Sequence, residues 1–129
     1  MLFLLNTSII PATFVGAVFV QEVSNEAACE YVRLIEFESA VGHKPTADVM
    51  TALLGVEVKT ARKTLVPVVG DSFLVMQLES RLEEGKVLNE VELKALKFRW
   101  KLLTFAEDPR PKVPEAPAGF DAAAAVAKL

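Results

Sequence analysis

Four short polar pieces interrupt an otherwise apolar chain, and each places groups that could do chemistry. They are Asn6-Thr7-Ser8, Gly42-His43-Lys44-Pro45-Thr46, Arg62, and Gln77 through Lys86 (QLESRLEEGK). Each ends an apolar run, which is where a sheet protein exposes side chains and backbone amides to a ligand. His43 leads, because it is the only histidine and histidine is the side chain that ordinarily changes charge near neutrality. At the start of a helix it sits among unpaired N–H groups, which favour a phosphate beside it. The phosphate favours the protonated ring and the helix end opposes it, a balance that suits a general acid. The plain alternative is a histidine that caps the helix or packs.

Arg62 and Arg81 are the candidate phosphate contacts, since a guanidinium offers paired donors in fixed geometry. An isolated arginine is more often a solvated surface group. Glu83 and Glu84 read the same way, because a carboxylate beside a phosphate repels it unless it orients a hydroxyl or an arginine. Gln77, inside the apolar run FLVMQL, reads as a buried amide in want of partners. Asn6 and Ser8 are equally ligand contacts or turn formers. One cysteine and one histidine exclude an intrachain disulfide and a Cys/His zinc site. The sequence carries no phosphate-binding loop, no nucleophile elbow and no metal-ligand cluster, so neither metal nor cofactor is expected.

The elements that must position these groups interleave strands and helices. At 129 residues the chain makes one small domain of the α/β (α+β) class, a mixed central β-sheet flanked by helices. Met1–Val20 reads as two buried strands around a polar turn rather than a membrane span. The first basic residue is Arg33, and Pro11 would interrupt a spanning helix. Met1–Leu5 is the first strand and Ala17–Val23 is the second. Ser24 caps a helix to about Ile35, and Gly42–Thr46 opens another that Gly55 stops, with Val49, Ala52 and Leu53 on its inner face. Val56–Val69 and Ser72–Glu79 read as a hairpin turning at Gly70-Asp71. Asn89 and Glu92 form a capping box for a helix to about Phe98, with Leu88 stapled on Leu93, and Trp100–Phe105 is a last strand. Residues 1–105 form the domain, and 106–129 are a Pro/Ala-rich flexible tail.

Composition sets the partners. With 52% hydrophobic residues, so small a chain has surplus apolar surface, which points to a homodimer. A net charge of −3 argues against binding long nucleic acid but not against a small anion held by a few donors. The expected place is cytoplasmic, in the host cytoplasm if the chain is virus-encoded.

The order Leu5-Asn6-Thr7-Ser8-Ile9, Ala40-Val41-Gly42-His43-x-x-Thr46, Leu53-Leu54-Gly55-Val56 and Gln77-x-x-x-Arg81-Leu82-Glu83-Glu84-Gly85-Lys86-x-Leu88 resembles the viral anti-CRISPR ring nucleases. The resemblance runs from about Leu2 to Phe105. It implies a metal-independent enzyme that degrades cyclic tetra-adenylate, the second messenger of type III CRISPR systems, as a homodimer with the ligand across its axis. It implies catalytic roles for His43 and Glu84, and substrate contacts from Asn6, Ser8, Arg62, Gln77 and Arg81. Two positions depart from the family pattern: Ala61 stands where Asn is frequent, and Pro45 where Ser is common. Two other functions compete: a non-catalytic sponge or sensor of cyclic oligoadenylate, and an interaction protein with a vestigial pocket.

Overall fold

The chain opens with four apolar residues, LFLL, and a strand this apolar is stable only when both its faces are covered. In the computed structural model, which describes residues 1–7, 10–79, 82 and 88–110, that run is β1 (Leu2–Leu5). It is followed by β2 (Ala17–Val23), α1 (Asn25–Leu34), β3 (Phe37–Ser39), α2 (Lys44–Leu54), β4 (Ser72–Leu78), α3 (Glu90–Ala95) and β5 (Phe98–Ala106). The five strands form one sheet in the order β2-β5-β4-β1-β3. β1 runs parallel to both β3 and β4, while β5 is antiparallel to β4 and β2. The fold is therefore a single α+β domain with a mixed sheet, as its alternation of elements suggests.

Alternation along the strands sorts the core into two layers. Leu2, Leu4, Leu74, Met76, Trp100 and Leu102 face the helices and pack with Ala28 and Val32 of α1 and Ala47, Met50 and Leu54 of α2. Leu5, Phe73, Val75, Leu103 and Phe105 form the opposite layer, closed by Phe14 and Leu65. Phe73 and Phe105 meet edge-on with ring centroids 4.6 Å apart. Trp100 is 1% exposed and its indole N–H donates to Asn25 Oδ1 at 3.0 Å. That bond ties the first turn of α1 to the sheet and satisfies a donor that burial would otherwise strand.

Several sequence expectations hold. Ser24 caps α1, and Asn89 and Glu92 make both bonds of the capping box on α3. Gly55 stops α2 with φ 72°, a left-handed conformation that only glycine adopts cheaply.

Others are corrected. Val56–Val69 and Ser72–Glu79 do not form a hairpin: 56–69 contains no regular strand, and β4 takes β1 and β5 as its neighbours. Segment 56–69 instead wraps the outer edge of β3. Ser39 Oγ donates to the Lys59 carbonyl, Ala61 N–H donates to Val41 O at 2.8 Å, and Val58 and Leu65 enter opposite core layers. Pairing by tertiary contact has overridden the β-propensity of this stretch. β3 itself was not foreseen; three residues with a glutamate at the centre are too few to show a period. β2 is not buried as Met1–Val20 suggested. It is the open edge of the sheet, with Phe19 and Val20 more than half exposed. On α2 the buried side includes Ala47, Val49, Met50 and Leu54, while Ala52 faces solvent. α3 stops at Ala95, and β5 starts at Phe98, two residues before the expected Trp100. Among the described residues no helix is long and apolar enough to cross a membrane.

The turn into β4 depends on one carboxylate. Asp71 Oδ2 accepts the Val68 N–H at 2.9 Å, and its backbone joins the end of β5 through Phe105. Removing that acceptor strands a part-buried amide, so Asp71→Ala is expected to lose about 1–3 kcal/mol in chemical denaturation. Unchanged stability would show that this turn does not anchor the strand.

Candidate functional site

Because β3, β1 and β4 run in one direction, their carboxyl ends lie along one rim of the sheet. In open α/β sheets that rim is where ligands bind. Asn6 follows β1 and is half-buried. The register sets Leu5 opposite Val75, so Asn6, just past β1, and Gln77, near the end of β4, lie within two residues of each other along the sheet. Beyond β3, Ala40 N–H still donates to Leu4 O at 2.8 Å. The chain then turns through the fully buried Val41 into α2, which brings Gly42 and His43 to the same rim.

His43 is the N-cap residue of α2, but its side chain makes no cap bond. Its carbonyl accepts the Ala47 N–H at 3.0 Å, closing the first helical turn. Its ring goes elsewhere: Nδ1 lies 2.8 Å from Thr46 Oγ1. Nε2 is shielded from solvent, although the residue as a whole is partly exposed. Pro45 occupies the first turn, where a missing N–H costs nothing and its fixed φ suits the helix. The imidazole is thus held by a side chain and does not satisfy the helix end.

Arg62 stands beside this turn. A Cβ built on Gly42 would lie 3.5 Å from both Cβ and Nε of Arg62, so the arginine stem crosses over the glycine. The Ala61–Val41 backbone bond fixes the approach. The alanine before Arg62 therefore contributes through its main chain whatever its side chain. The Arg62 side chain is exposed, free to present its donors to an anion at the rim.

Gln77 needs correcting. It is the penultimate residue of β4 and is exposed, not buried, because the layer that covers Phe73 and Val75 on its face of the sheet does not reach it. It lies opposite Arg99 in β5, whose Nε is 3.6 Å from Glu22 Oε1. Ser8, Arg81 and Glu84 lie outside the described residues. Of the sequence candidates, the structure brings Asn6, His43, Arg62 and Gln77 to one rim. Sequence reasoning missed the partner of His43: Thr46 sits three residues on, the spacing that puts two side chains on one helix face, and that spacing was the available signal.

Other features lie at the far end. A cleft of about 210 Å³ lined by Met1, Leu2, Tyr31, Ile35, Gly70, Ser72 and Leu102 opens at the amino ends of β1 and β4 and holds none of the rim residues. Past the end of β5, the Arg110 guanidinium bonds Asp108 and lowers its pKa to about 2, on fully exposed surface away from the rim. No three metal-ligating side chains converge among the described residues.

Fold and rim together define a small α+β protein with a polar edge at the carboxyl ends of its parallel strands. The chain belongs to the STIV B116-like family, whose model matches residues 2–100. It is 41% identical over 101 residues to ORF117 of Acidianus two-tailed virus, covering 75% of this chain and 86% of the relative. Protein 26 of Sulfolobus islandicus filamentous virus is 38% identical over 95 residues, covering 71% of this chain and 80% of its own. Among solved structures, B116 of Sulfolobus turreted icosahedral virus superposes with a TM-score of 0.72 at 26% identity, covering 80% of this chain and 97% of that one.

The contact of Arg62 with Gly42 is testable. Gly42→Ala meets only ordinary van der Waals contact and is expected to keep wild-type stability within about 0.5 kcal/mol. Gly42→Leu has no room beside the Arg62 stem and is expected to lose about 1–3 kcal/mol in chemical denaturation. A leucine variant as stable as wild type would show that the Arg62 stem does not lie over Gly42.

Proposed function

We propose that this protein is a phosphodiester-cleaving ring nuclease for cyclic oligoadenylate, acting on cyclic tetra-adenylate as a homodimer and so antagonising or regulating type III CRISPR signalling. The observation that carries the reading is the placement of His43 at the helix start on the rim, with the Arg62 stem crossing the adjacent Gly42. Membership of a family represented in viruses and the resemblance of the rim segments to ring nucleases support it.

The chemistry needs little from the protein. A ribose 2′-oxygen attacks its own adjacent phosphorus, its proton passing to solvent, and the bond to the 5′-oxygen breaks. The products are a 2′,3′-cyclic phosphate and a free 5′-hydroxyl. The nucleophile arrives with the substrate, so the enzyme supplies alignment, cationic stabilisation of the phosphoryl oxygens, and a proton for the leaving oxygen. Arg62 and the amides at the start of α2 serve the phosphate, and His43 is the proton donor, a role worth roughly 10²–10⁴ in rate. Asn6 and Gln77 present amides to base or ribose edges. Arg81 and Ser8 act as further ligand contacts, and Glu84 orients the reacting groups.

A two-fold ring offers opposite phosphates to two symmetry-related histidines, which suits a C2 dimer. Its axis passes near the carboxyl ends of β3, β1 and β4. The exposed β2 edge lies four strand spacings, about 19 Å, from β3 and is too far from His43 to be the shared seam. Val20→Lys on β2 is accordingly expected to leave cleavage unchanged. A large loss of activity in that variant would move the axis.

A second reading, binding without turnover, is favoured by the shielding of His43 Nε2 from solvent. Incubation with cyclic tetra-adenylate in excess EDTA separates the two. The nuclease reading expects linear di-adenylates; the binding reading expects intact ligand. His43→Ala is expected to lose at least about 100-fold in rate while retaining binding, and a variant as fast as wild type would overturn the mechanism.

A further inference from the structure

We infer that Thr46 is the positioning residue of this reaction: its hydroxyl accepts the Nδ1–H of His43 and thereby makes Nε2 the atom that carries the transferred proton. The inference rests on the reading of His43 as proton donor.

Three observations carry it. Nδ1 and Thr46 Oγ1 are 2.8 Å apart, well within hydrogen-bond distance. Thr46 is only 4% exposed, one of two buried polar residues among those described. A hydroxyl in such a place is unfavourable unless bonded, and a valine would fill the same shape without it. Finally, the frame is rigid. Pro45 fixes the first turn, the His43 carbonyl closes it on Ala47, and Val41 and Ala47 are buried with no measurable exposure. The two side chains are therefore held one turn apart on a helix end that has little freedom to move.

The consequence for the proton is direct. A neutral imidazole has one N–H, and the hydrogen bond at the other nitrogen decides which nitrogen carries it. With Nδ1–H given to Thr46, Nε2 is the basic atom. It takes up a proton before the reaction, and the protonated ring then donates from Nε2 to the leaving 5′-oxygen. The Nδ1–H bond to Thr46 persists through both states, so the ring neither rotates nor exchanges tautomers between turnovers. Partners that orient a metal-bound histidine are typically worth about 10–100-fold, and a loss of the same order is expected here.

The chain has a single histidine, so every imidazole signal belongs to His43. Long-range ¹H–¹⁵N spectra of the full chain are expected to show the neutral ring protonated on Nδ1 in wild type and in Thr46→Ser. Thr46→Val is expected to shift toward the Nε2–H form. In cleavage of cyclic tetra-adenylate, Thr46→Val is expected to lose about 10–100-fold in kcat with KM within about twofold, and Thr46→Ser to recover most of that loss. A merely structural role would lower the melting temperature of Thr46→Val and leave its tautomer unmoved, which would overturn the inference. So would a wild type that cleaves alongside a Thr46→Val variant with the same kcat. A wild type that cleaves nothing overturns the reading of the reaction itself, and this inference with it.

Discussion

The parallel pairing of β1 with both β3 and β4 is the constraint on which the rest of the molecule depends. A strand reading LFLL has no polar face to offer water, so it must be flanked by strands and roofed on both sides. Helices α1 and α2 supply one roof. The aromatic layer of Phe73, Phe105 and Phe14 supplies the other. Once three strands share a direction, everything that leaves their carboxyl ends is delivered to one rim. Asn6, the Gly42–His43 turn and Gln77 meet there as a consequence of core burial, before any ligand enters the argument.

The second requirement is to close the β3 side. A three-residue strand with a glutamate at its centre is a poor edge by itself. Segment 56–69 runs along it, exchanging hydrogen bonds with Ser39 and Val41 and passing from one core layer to the other. That detour brings Arg62 across Gly42. The arginine belongs to the rim because the chain had to cover an edge, and its reach to the histidine turn is set by a main-chain bond and not by side-chain chemistry.

Much of this could be read from the residues, for identifiable reasons. Capping signals are local, so Ser24, Asn89 with Glu92, and Gly55 all act as their types dictate. β1 and Ala17–Val23 declare themselves by apolar and β-branched residues. What escaped was decided by contacts distant in sequence. The β-rich stretch 56–69 pairs with no strand, because β4 has two better partners. Val20 and Phe19 are exposed because β2 is an outer strand, which no pattern within seven residues reveals. Of the candidate site, His43, Arg62, Asn6 and Gln77 do converge on one rim, while Gln77 is exposed within an apolar run because only the face that carries Met76 and Leu78 stays covered at that end of β4. The Thr46 contact was visible only as a spacing of three. Ser8, Arg81 and Glu84 lie outside the described residues.

The unpaired flank of β2 has a consequence for how the protein behaves in bulk. Among the described residues its outward amides and carbonyls have no strand beside them. It carries no lysine or proline to discourage a visitor, and the apolar pair Phe19 and Val20 sits in the middle. Strands of this kind template stacking between molecules. The one charged residue of β2, Glu22, is paired with Arg99 and stands opposite Lys101 on β5, so the edge has little charge of its own to repel a second copy. Association in concentrated solution is accordingly governed by the apolar pair at the centre of the strand.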